Sequence, residues 1–107
     1  MKIDLHYHHP LYLGDSIRNE KVDTLKKKLK RDPKNAAVFL LTTAGNPHDL
    51  LDIYESEQLR WRYYQNNPPY VVGLAASKEE AILLVERIVA ECLAVRGDCY
   101  LREYLSC

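Results

Sequence analysis

The residues best suited to chemistry crowd the start of the chain. In MKIDLHYHH, Asp4, His6 and His8 recur at every second position, and His9 follows at once. A strand sends alternate side chains to opposite sides. Asp4, His6 and His8 would then share one face and Ile3, Leu5 and Tyr7 the other. Side chains at i and i+2 stand roughly 6–7 Å apart, from the rise per residue. Two imidazoles at that spacing can turn their nitrogens onto one zinc or iron ion, and a carboxylate can add a third ligand. The plainer alternative is the wet face of an edge strand, where polar side chains discourage pairing with another chain.

The stretch IDLHYH resembles the first motif of metal-dependent hydrolases of the PHP and amidohydrolase type. There a His-x-His at the end of the first barrel strand ligates metal. The resemblance would give that role to His6 and His8 and leaves His9 outside the motif. A chain of 107 residues is too short for an eight-stranded barrel, and beyond position 9 the only histidine is His48. No HExxH is present, and Asp15, His48, Asp49 and Asp52 fall in no recognisable ligand arrangement. The family is therefore not carried over. The edge-strand reading is preferred, with Asp4, His6 and His8 kept as weak metal candidates and no cofactor implied.

Three further groups of residues could bind something. Loops leading into helix N-termini carry His9, Thr42, Thr43, Asn46, His48 and Ser77, a set suited to a small anionic ligand such as phosphate. Asn46 and Ser77 are equally well explained as helix caps. LYLGDS and TTAGNP hold one glycine each, so neither a dinucleotide fingerprint nor a P-loop is present. The segment YESEQLRWRYY places Tyr54, Arg60, Trp61, Arg62, Tyr63 and Tyr64 close together, and these residue types are enriched at interaction hot spots. KVDTLKKKLKR is a basic surface, with seven basic and two acidic residues from Arg18 to Arg31. Nucleic acid is not the expected partner, because Lys plus Arg equals Asp plus Glu at 15 each and no RNA-reading signature occurs.

The elements that must position these residues follow from periodicity. Residues 2–8 read as a half-buried strand that Pro10 should end. Asp15 to Arg31 reads as a helix with a narrow stripe of Ile17, Val22, Leu25 and Leu29, capped by Asp15 or Ser16 and stopped by DPKN. The near-continuous apolar run 36–43 suggests a strand buried on both faces. A second helix is expected from Asn46 to about Tyr64, ended by Asn66-Asn67-Pro68-Pro69. YVVGLA at 70–75 reads as a third strand. Ser77 with Glu80 forms a capping box for a helix that runs to Arg96 and stops at Gly97. That helix is apolar around most of its girth. A last helical turn should dock Tyr100, Leu101, Tyr104 and Leu105.

The order predicts a single α/β domain spanning residues 1–107. It would be a small three-stranded, mainly parallel sheet in βαβαβα order, with helices packed on it and a short C-terminal helical turn. Apolar residues make up 47% and charged residues 28%, a globular composition. No apolar run reaches the roughly 20 residues of a membrane span, and the start lacks a signal-peptide core. Cys92, Cys99 and Cys107 fit no disulfide framework and read as free thiols in the cytoplasm, with Cys92 in the core. No nucleophile elbow or paired catalytic carboxylates emerge. The expectation is a cytoplasmic protein-interaction or homodimeric domain, with anionic-ligand binding or enzymatic chemistry at the strand ends as the alternative.

Overall fold

The computed structural model describes residues 5–43, 51–60 and 69–105. Its strands are β1 (His6–Leu13), β2 (Phe39–Thr43), β3 (Leu51–Glu55) and β4 (Tyr70–Ala75). Its α-helices are α1 (Val22–Arg31), α2 (Pro33–Ala36), α3 (Lys78–Arg96) and α4 (Leu101–Tyr104). Short 3-10 turns lie at Asn19–Lys21 and Ser56–Arg60.

The sheet corrects the expected topology. It has four strands in the order β1-β4-β2-β3 and is mixed, not a three-stranded parallel array. β1 and β4 are parallel, whereas β2 is antiparallel to both β4 and β3. The extra strand is LDIYE, which falls within the helix expected from Asn46 to Tyr64. Its period of two explains why: Leu51 and Ile53 pack toward the core on one side of the sheet, and Tyr54 toward the core on the other. Cross-strand pairing with Phe39–Thr43 then satisfies its backbone, which outweighs a loose helical stripe.

β1 also runs further than expected, through Pro10. Its pairing with β4 passes from Tyr7↔Val71 to Tyr12↔Gly73, so residues 8–11 stand outside the ladder. A proline without an N–H costs nothing where no ladder bond is made. The His9–Pro10 peptide is cis. On β4, Val72 is the additional residue of a bulge opposite Leu41 and Thr42.

Each face of the sheet has its own core. Leu41, Val72, Ala75, Ala81, Leu84, Ile88, Cys92, Leu101 and Leu105 form one beneath α3 and α4. Leu29, Ala36, Val38, Leu40, Leu59, Val71 and Leu74 form the other beneath α1 and α2. Gly73 lets α3 approach: a Cβ there would lie 3.1 Å from a Leu84 methyl and 3.1 Å from the Tyr12 carbonyl oxygen. The helix expected from Asp15 begins as α-helix only at Val22. Gly14–Ile17 instead make a turn, with Ile17 N–H donating to Gly14 O at 3.0 Å, and neither Asp15 nor Ser16 caps α1. No described helix is long and apolar enough to cross a membrane.

Candidate functional site

β1 and β4 end side by side, with Leu13 opposite Leu74 and Gly14 N–H bonded to Leu74 O at 2.8 Å. This is the edge at which parallel strands offer helix N-termini to a ligand. Here the chain fills that position itself. Ser77 Oγ accepts the Glu80 N–H at 3.1 Å, the first half of the expected capping box. The Glu80 carboxylate does not return to Ser77. Its Oε1 accepts Ala76 N–H at 3.1 Å and Ser16 N–H at 3.3 Å, tying the loop after β1 to the start of α3. Burial pushes the Glu80 carboxyl up, but the Ser16 and Ala76 bonds outweigh it and hold the group below its ordinary value. Gly14 is required by this arrangement, since a Cβ there would overlap the carboxylate, 2.6 Å from its carbon. Arg87 donates to Leu13 O at 3.0 Å. The cleft left between Gly14, Asp15, Glu80, Leu83, Leu84 and Arg87 holds only about 100 Å³.

The described residues expected to converge on an anion are dispersed. Because β2 is antiparallel, Phe39 lies beside Ala75 while Thr42 lies beside Val71, at the other end of β4. Thr42 and Thr43 are thus a strand length away from Ser77. Thr42 is buried, and its hydroxyl has no hydrogen-bond partner among the described residues. His9 is exposed in the part of β1 outside the ladder. Asn46 and His48 lie outside the described residues.

The N-terminal histidines also part company. His6 is exposed but His8 is buried, contrary to a shared wet face. His8 Nδ1 lies 2.9 Å from Pro10 O, and since a carbonyl only accepts, Nδ1 carries the proton. Its ring stacks on Tyr12 at 6.1 Å and meets Tyr70 edge-on at 6.2 Å. Asp4 lies outside the described residues, among which no three His, Cys, Asp or Glu side chains are placed to hold a metal ion. Of the aromatic cluster, Tyr54 is half-buried in β3 and donates to Asp52 at 3.3 Å. Arg60 ends the second 3-10 turn, and Trp61, Arg62, Tyr63 and Tyr64 lie outside the described residues.

Sequence reasoning missed a tyrosine pair on one carboxylate. Tyr12 and Tyr104 donate to Glu91 Oε1 at 2.9 and 2.8 Å, pinning β1 and α4 to α3. Burial, then the Glu91 bond, push the Tyr12 hydroxyl up. Tyr12 and Glu91 stand 79 positions apart, so no local pattern announces the contact. Cys92 is buried and donates to Asp98 O at 3.2 Å, Cys99 is exposed, and Cys107 lies outside the described residues.

The most distinctive surface is the outer side of α3. The inner side buries Ala81, Leu84, Ile88 and Cys92. The outer side leaves Ile82 at 44%, Leu83 at 63% and Leu93 at 45% exposure. Val95 and Tyr100 are also exposed, but Val95 follows the spacing of the inner stripe near the helix end, and Tyr100 lies past it. Glu79 and Glu86 punctuate this side at helical spacing with Ile82, Leu83, Ala90 and Leu93. Comparison with protein-family models, curated proteins and solved structures finds no match. A second surface lies elsewhere on the molecule. Across the sheet, Ser16, Ile17, Arg18, Lys21, Thr24, Leu25 and Lys28 line an open groove of about 420 Å³.

Proposed function

We propose that the chain is a cytoplasmic protein-interaction domain whose contact surface is the outer side of α3, facing a second copy of itself or a protein partner. The exposure of Ile82, Leu83 and Leu93 on one helix carries this reading. Single exposed apolar residues are ordinary, but several on a continuous helical face mark contact surfaces. A 19-residue helix is about 28 Å long, enough to present them in one line. The inner stripe, with Val85 and Val89 beside it, packs α3 on the sheet, and Ile82, Leu83 and Leu93 take no part in that core. Free Cys92 and Cys99 support the cytoplasmic setting.

Sedimentation equilibrium from nanomolar to micromolar protein tests the reading. The expected outcome is a mass above the 12.4 kDa monomer at the upper end, or retention of a specific partner. A monomer at every concentration that binds no protein would reject it.

A further inference from the structure

The two unused surfaces are complementary in charge and in apolar content, and they face opposite ways. Residues 15–34 carry eight basic and four acidic side chains, so the other 87 carry seven and eleven, out of 15 of each. The neutral chain is therefore divided into a +4 segment and a −4 remainder. The positive part shapes the groove beside α1. Its apolar lining is Ile17 and Leu25, both half-buried, and its rim is Arg18, Lys21 and Lys28, all exposed. None of these three cations joins an ion pair among the described residues. The outer side of α3 carries the opposite sign along its middle: Ile82 and Leu83 lie between the carboxylates Glu79 and Glu86, Leu93 lies two turns beyond, and the exposed Lys78 and Arg87 stand at the margins.

We propose that the groove of one copy, lined by Ile17 and Leu25 and rimmed by Arg18, Lys21 and Lys28, receives the outer side of α3 of a second copy. This deepens the proposed function and rests on its assignment of that side of α3 as a contact surface. The joint is heterologous, because two different patches meet. The groove and α3 lie on opposite sides of the sheet, so one partner cannot satisfy both. A pair therefore keeps one free surface of each kind, the α3 side of one copy and the groove of the other, and association continues past the dimer as a head-to-tail stack. The apolar contacts supply most of the attraction, and the charges set register and exclude pairing of like faces.

Sedimentation of the full chain across a salt series, with two charge-reversed variants, tests the proposal. The wild-type mass should pass twice the monomer value as concentration rises. Association should weaken between about 0.05 and about 0.5 M salt, as the screening length falls. Lys21→Glu with Lys28→Glu, and separately Glu79→Lys with Glu86→Lys, should each lower the association constant roughly tenfold or more. An equimolar mixture of the two variants should associate again, since each then meets an opposite surface. All four positions are exposed, and circular dichroism checks the fold. The wild-type salt series needs no variant. A mass that stops at the dimer and ignores salt would overturn the head-to-tail joint while leaving α3 as the contact surface. A mixture as dissociated as its components would also overturn it. A wild-type monomer throughout that binds an acidic or other protein instead would overturn self-association alone.

Discussion

The helices on the two sides of the sheet solve the same packing problem and leave opposite surfaces. α1 buries Leu29 completely and half-buries Leu25, then turns lysines to water. Lys26 reaches back over the Tyr7 ring at 4.7 Å, and burial raises that tyrosine's pKa to about 12. α3 buries Ala81, Leu84, Ile88 and Cys92, and still shows Ile82, Leu83 and Leu93 to solvent. The inner stripe of each helix is dictated by the sheet. The outer stripe is free of that demand, and the proposed contact surface is read from it.

Inward and outward positions of α3 should differ sharply in their cost to stability. Ile88→Ala should cost about 2–5 kcal/mol in denaturant unfolding, from lost burial and a cavity. Leu83→Ala, at 63% exposure, should stay within about 0.5 kcal/mol for the monomer. Similar losses at both positions would remove the distinction between the two sides.

A smaller effect is expected at the start of α3. Glu80→Gln should cost roughly 1 kcal/mol at neutral pH, a charged hydrogen-bond acceptor discounted for partial exposure. The folded value of Glu80 lies below its ordinary 4.5. Its contribution is therefore complete above that value and lost as pH falls through the folded one. Unfolding free energies measured from pH 7 downward should show wild type and Glu80→Gln converging in acid. A constant gap would mean that the carboxylate charge plays no part in joining the loop to the helix.

Legibility in the sequence follows the range of the interactions. From Tyr70 to Gly97 local rules agree with one another. The strand, the Ser77 cap bonded to Glu80 N–H and the αL Gly97 with its N–H on Leu93 O at 2.9 Å all lie where expected. At Leu51–Glu55 two periods compete, and only the neighbouring β2 decides between them. The direction of β2 is invisible in its own apolar run, and that direction separates Thr42 from Ser77. Within the site, Ser77 and Glu80 were readable as a cap. The destination of the Glu80 carboxylate was not, because Ser16 is 64 positions away. The apolar excess of α3 could be read from composition; which residues stay outside needed the sheet.

The most direct measurement compares wild type with Leu83→Asp, recording sedimentation mass at micromolar protein and the unfolding midpoint at a concentration where both are monomeric. If the outer side of α3 joins two copies, the substitution leaves a monomer with an unchanged midpoint. A midpoint that falls with the mass, or a wild-type oligomer whose mass Leu83→Asp leaves unchanged, would contradict it.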